Sequence, residues 1–200
     1  MNEEKIKSSP TLKAELKAAQ NKASKPLLWI GIFSMVMFWA GLTSAYVVRA
    51  DNGNWLIFNV PSIFIISTAV IITSSITMFY AYNSAKKNSY SQVTLGLLLT
   101  LILGFVFLYC QYQGWMELYS KDIVLGGKKS NASGSFFILF IFAHLAHVIG
   151  GIFSLTITLF KSLRKLYNAQ NSLGLELCSI YWHFLDILWV FLFLFLYYIR

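Results

Sequence analysis

Residues Glu176–Trp189 read E-L-C-S-I-Y-W-H-F-L-D-I-L-W, and they decide the fold. They lie at the start of an apolar run that continues to the end of the chain and is long enough to cross a bilayer. Yet the run carries two carboxylates and an imidazole. On a helix, positions three, four and seven apart share a face, so Glu176, Ser179, His183 and Asp186 form one polar stripe. Trp182 and Trp189, also seven apart, form a second line beside it. An ionisable group at membrane depth costs about 2.5–3.5 kcal/mol on insertion scales. A chain that keeps three of them must bury them against protein, water or lipid headgroups. The stretch therefore predicts a helix inside a bundle.

The rest of the sequence fits that expectation. Of its 200 residues 57% are hydrophobic, 17% aromatic and 12% charged, with a mean hydropathy of +0.62. Soluble chains average roughly 25% charged residues. The charges fall in short blocks between long apolar runs, the pattern of a polytopic all-α membrane protein. A net charge of +8 in a soluble protein would suggest a nucleic-acid partner. Here the basic residues sit in loops and the N-terminal tail, so they read as determinants of membrane orientation and imply no nucleic acid. Cys110 and Cys178 lie in apolar segments without metal-site spacing and near opposite membrane faces. They read as small buried hydrophobes that do not pair.

Five spans are expected, at about 27–48, 56–82, 93–113, 135–160 and 177–199, preceded by a basic cytoplasmic arm over 1–26. The arm has neither the apolar core nor the cleavage site of a signal peptide. Ser9-Pro10 predicts a short helix through Leu16, and the arm is expected to be mobile. The second span carries Ser67, Thr68, Thr73, Ser74, Ser75 and Thr77, residues that bond to their own helix or to a neighbour. A polar loop is expected over 114–133. In the fourth span Ala146, Gly150 and Ser154, four apart, predict a seam for close helix packing. With the N-terminus inside, the inner segments hold eleven Lys and Arg residues and the outer segments five. That bias puts the N-terminus inside and the C-terminus outside.

His144, His147 and His183 invite a metal or haem reading, because imidazole is the commonest metal ligand. The spacing does not demand opposed axial histidines on two helices, CxxCH is absent, and histidines hydrogen-bonded at a helix interface are the stronger reading. Asp186 lies nine residues into the last span, about 14 Å along it, near mid-membrane. With Glu176 and His183 it can pass protons along a stripe, or it can lock two helices together. The lock is favoured, with Asp186 accepting a hydrogen bond from His183 or from a fourth-span histidine. No nucleophile set, phosphate loop or zinc spacing is present.

The run Y-W-H-F-L-D-I-L-W-V-F-L-F strongly resembles the last helix of subunit III of the haem–copper oxidases, which include the cytochrome c oxidases. Glu176, Tyr181, Trp182, His183, Phe184, Asp186 and Trp189 fall in register with that family. F-A-H-L-A-H-V-I-G-G is similar to its F-H-G-L-H-V motif, placing His144 and His147 on the two histidines. Thr100, Gly104, Phe107, Gln111 and Trp115 match its third-span pattern, and the first two spans are similar as well. The likeness covers roughly residues 27–200. Five spans rather than seven look like the short bacterial form.

The resemblance implies a non-catalytic subunit in a bacterial inner membrane, with haem and copper held by partner subunits and no cofactor or metal of its own. It implies contact with oxidase subunit I, bound phospholipid and support of proton uptake during oxygen reduction. His144, His147, Glu176, Tyr181, Trp182, His183, Asp186 and Trp189 then form a structural polar cluster toward lipid or another subunit. Two family carboxylates are replaced, by Met35 and Gly114. A quinol oxidase subunit III, a nitric oxide reductase accessory subunit and a stand-alone proton or solute transporter are the alternatives. A transporter normally shows internal repeats, and none is visible.

Overall fold

The computed structural model describes residues 10–51, 55, 60–123, 131–165, 167 and 172–199. Five helices follow one another: α1 (Pro10–Asp51), α2 (Ile63–Lys86), α3 (Tyr90–Ser120), α4 (Ala132–Leu163) and α5 (Leu173–Tyr198). Each contains a segment long and apolar enough to cross a membrane. No strand occurs among the described residues. The all-α, five-span expectation is met, and the chain is a multi-pass membrane protein.

The helix boundaries depart from the expected spans for local reasons. The predicted short helix at Pro10 is instead the start of α1, which continues through Pro26 into the first span. α2 starts at Ile63 rather than near 56, after Pro61 and Ser62; residues 56–59 lie outside the described residues. A proline biases the residue before it away from helical geometry. The first turn is anchored by the Phe64 N–H donating to the Pro61 carbonyl at 3.1 Å. α3 runs seven residues beyond the predicted end at Gln113, consuming the start of the expected loop. Its last exposed turn carries the Glu117–Lys121 ion pair at 2.7 Å. Asn131 caps α4, its side chain accepting from the Ser133 N–H at 3.0 Å. That satisfies one of the free donors at a helix start.

The chain divides into two compact units, Met1–Trp39 and Ala40–Arg200. The first contributes the leading part of α1, where Leu16, Leu27, Ile30, Phe33 and Met37 are all exposed. In the second, α2 packs along α3, α3 against α4, and α5 against both α2 and α4. Its core includes Phe64, Ile71, Met78, Leu97, Phe107, Leu155, Trp182 and Leu185. Small residues set the closest approaches. A Cβ on Gly96 would come within 2.8 Å of the Ala81 Cβ, and one on Gly151 within 2.8 Å of Leu185 Cδ1. The seam predicted at Ala146, Gly150 and Ser154 is corrected here. Ala146 and Gly150 are exposed, and the buried face of α4 runs one position over, through His144, Val148, Gly151, Ile152 and Leu155.

Candidate functional site: the polar seam between α2 and α5

The buried face of α5 holds Ser179, Trp182, Asp186 and Trp189, and it meets the hydroxyl-rich face of α2. The Trp182 indole N–H donates to Ser74 Oγ at 3.0 Å. The Trp189 indole N–H donates to Thr68 Oγ1 at 3.0 Å. Thr68 in turn gives its own proton to the Phe64 carbonyl at 2.7 Å, so its oxygen keeps a lone pair for the indole. Ser75 Oγ lies 2.6 Å from His183 Nδ1. On the other flank of α2, Gln111 Nε2 donates to Ser67 Oγ at 3.3 Å, and the Thr77 and Thr100 hydroxyls meet at 2.8 Å. Ser67, Thr68, Ser74, Ser75 and Thr77 of one helix are thus tied to two neighbours. Membrane helices lack a strong hydrophobic drive to associate, so such bonds and close packing hold them together.

Asp186 behaves differently from expectation. It is 4% exposed, and Ser75 is the one side chain that bears on its carboxyl among the described residues, outside close hydrogen-bond geometry. Its predicted bond to a histidine is absent. His183 and Asp186, three apart, both face Ser75, whose hydroxyl lies 2.6 Å from His183 Nδ1 and also bears on the Asp186 carboxyl. His147 is turned back on its own helix, with Nδ1 2.7 Å from the Ala143 carbonyl. His144, 1% exposed, lies among rings, its centroid 5.1 Å from that of Trp189 and 6.0 Å from that of Phe107. Tyr181 donates its hydroxyl to the His147 carbonyl at 3.2 Å. Glu176 is half-buried in the first turn of α5, where a carboxylate complements the helix dipole.

The structure therefore brings His183, Trp182, Trp189 and Asp186 onto α2 and leaves His144, His147 and Tyr181 on the α4 side. Among the described residues, no three His, Cys, Asp or Glu side chains converge on a possible metal. The free Cys110 and Cys178 are both buried. Outside the spans, burial pushes the Tyr167 phenol above its ordinary value, opposed by a hydrogen bond with Thr158. Sequence reasoning missed Thr68 and Ser74 as the partners of the aromatic line and Ser75 as that of His183. The hydroxyl-rich character of α2 was visible, but which hydroxyl meets which ring was not.

The cytochrome c oxidase subunit III family profile matches residues 24–200. The chain belongs to that family. It is 30% identical over 173 residues to cytochrome c oxidase subunit 3 of Corynebacterium diphtheriae, covering 82% of each chain. It is 29% identical over 174 residues to the Drosophila melanogaster subunit, with 83% of this chain and 63% of that one covered. The Locusta migratoria subunit is 30% identical over the same shares. The chain thus spans about three fifths of the insect relatives' length. Within this family member, Gly114 stands where the resemblance puts an acid. A Cβ there would lie 2.5 Å from Phe64 Cζ, so the Phe64 ring occupies the space a side chain would need.

Proposed function

We propose that this chain is the non-catalytic third subunit of a respiratory haem–copper oxidase of the cytochrome c type, in a bacterial inner membrane. It packs against the catalytic subunit I, which with its partners holds the haem and copper. The observation that carries this reading is the family match over 24–200, with its most specific stretch forming the seam between α2 and α5. Side chains there are spent on helix–helix bonds, which supports a structural role. Trp182, His183 and Trp189, bonded to α2, and Tyr181, bonded to α4, fix the bundle that the catalytic subunit and phospholipid contact, and through that contact support proton uptake; His144, His147, Glu176 and Asp186 complete the polar set of the same two helices.

Phospholipid binding is supported by an open groove of about 850 Å³ between the start of α3 and the end of α4. Ser89, Ser91, Gln92, Thr94 and Lys165 line its polar rim, and Leu95, Leu98 and Leu163 its apolar part. That amphipathic lining matches a headgroup above acyl chains. The decisive experiment is purification of the tagged chain in mild detergent from its native membrane. Stoichiometric co-purification of a haem-bearing subunit with oxygen-consuming activity is expected, and a copper-domain partner identifies cytochrome c as donor. Recovery of the chain alone, or proton flux catalysed by it alone in liposomes, overturns the proposal in favour of a transporter.

A further inference from the structure

Between α3 and α4, at the opposite end of α3 from the lipid groove, lies a cavity of about 130 Å³. Leu108, Tyr112, Trp115, Phe142 and Leu145 line it, together with one amide, that of Gln111. The amide is oriented by its other neighbours. Ser67 Oγ gives its only proton to the Phe64 carbonyl at 3.0 Å, so it can accept but not donate, and Gln111 Nε2 donates to it at 3.3 Å. The carbonyl branch of the amide diverges from that bond, away from α2. Gln111 is 2% exposed, and its Oε1 has no hydrogen-bond partner among the described residues. A buried acceptor left unfilled is destabilising, and here it stands beside room for a donor.

Size and lining narrow what fills it. A cavity of about 150 Å³ lined by Leu, Ile and Phe takes up benzene, so this one holds a single six-membered ring and little more. Trp115 meets Phe142 edge to face at 5.6 Å and Tyr112 at 6.1 Å, contacts that a further ring extends. An acyl chain has no donor for Gln111, and water leaves the three rings without an apolar neighbour. Tyr112 and Phe142 are exposed, so the cavity is reached from the bilayer. Tyr46, in the part of α1 that belongs to the second unit, packs on Phe136 and Phe140, across α4 from Phe142 and Leu145 by helical spacing. Tyr112, Trp115 and Tyr119, three and four apart, mark an aromatic belt at headgroup level, where amphipathic rings collect. From this geometry we infer that the cavity binds one neutral hydroxylated ring, which arrives through the bilayer and donates its O–H to Gln111 Oε1. A reduced monocyclic quinol and a free phenol share that chemistry, whereas an oxidised quinone has no proton to give.

The test is fluorine NMR titration of the tagged full chain, with whatever subunits accompany it, in lipid nanodiscs. 4-Fluorophenol should bind about fivefold more tightly than fluorobenzene, the ratio that one hydrogen bond supplies. Gln111→Met keeps the bulk and deletes the acceptor, so it should erase the preference while fluorobenzene still binds, a result that misfolding does not produce. Leu145→Trp fills the cavity and should abolish binding of both probes. Methylhydroquinone should displace 4-fluorophenol, and methylbenzoquinone at the same concentration should not. Mass spectrometry of the lipid extract separates the sources: a quinol retained by the native chain and lost from Leu145→Trp identifies the membrane pool, and phenol binding without a retained quinol identifies a free ring. Equal affinity for the two probes, binding that survives Leu145→Trp, or no saturable binding, as for a cavity holding water alone, overturns the inference. It does not rest on the oxidase reading, which haem co-purification tests separately.

Discussion

Adding one methyl group at Gly114 tests how tightly α2 and α3 are packed. A Cβ at this position falls 2.5, 2.9 and 3.0 Å from three atoms of the Phe64 ring, the first 0.9 Å short of the 3.4 Å at which ordinary contact begins. The ring cannot retreat freely. Phe64 is 1% exposed, with the rings of Phe137 at 5.9 Å and Trp189 at 6.0 Å. Forcing a methyl into such a core costs about 1–3 kcal/mol. Taking about 2 kcal/mol, Gly114→Ala should lower the melting temperature by about 4–8 °C for a chain of this size. A thiol-reactive dye reads this directly, because Cys110 and Cys178 are both free and buried and react on unfolding. Trimming the obstacle with Phe64→Leu in the Gly114→Ala background should recover at least half of the loss. An unchanged melting temperature in Gly114→Ala, or no recovery in the double variant, refutes the packing argument. Restoring the family's acid with Gly114→Glu should be worse still, since it adds a buried charge costing several kcal/mol.

Gly96→Val should be more damaging than Gly114→Ala, costing about 3 kcal/mol, because its Cβ would meet the Ala81 backbone at 3.1 and 3.2 Å; reduced accumulation in the membrane checks this. A double-mutant cycle of Trp182→Phe with Ser74→Ala should return a coupling of about 0.6–1.7 kcal/mol, measured by denaturation in detergent, and zero coupling removes the bond. Asp186→Leu should raise the melting temperature of the isolated subunit by about 2–12 °C, since a buried polar group without close hydrogen-bond partners costs about 1–3 kcal/mol. The same variant, and His183→Ala, should loosen association with the catalytic subunit while leaving the haem content of that subunit intact, read by co-purification and reduced-minus-oxidised spectra.

The five spans were legible because bilayer thickness constrains their length, and the stripe on α5 was legible because helical spacing alone defines it. Partners across helices were harder. His183 and Asp186 invited a carboxylate–imidazole bond, yet both face a serine on a helix over a hundred residues earlier in place of each other. The seam on α4 was misplaced by one residue because Gly150 and Gly151 are adjacent, and composition cannot say which of two neighbouring glycines faces inward. Gly114 read only as a lost acid until the position of Phe64 showed why a side chain is excluded. α1 was read as arm plus span because its change in polarity at Pro26 looks like a boundary, whereas backbone hydrogen bonding is indifferent to that change.

Thr68 and Ser67 hand their protons to the Phe64 carbonyl, four and three residues behind them, and this bears on biogenesis. α2 leaves the ribosome long before α5, its partners Trp182 and Trp189 being 108 and 121 residues downstream of their acceptors. In the interval these two hydroxyl protons already have a home inside α2. The late helix then needs only to offer the Trp189 indole to the waiting lone pair of Thr68, and at that point of the seam nothing in the early helix must be undone for the bundle to close.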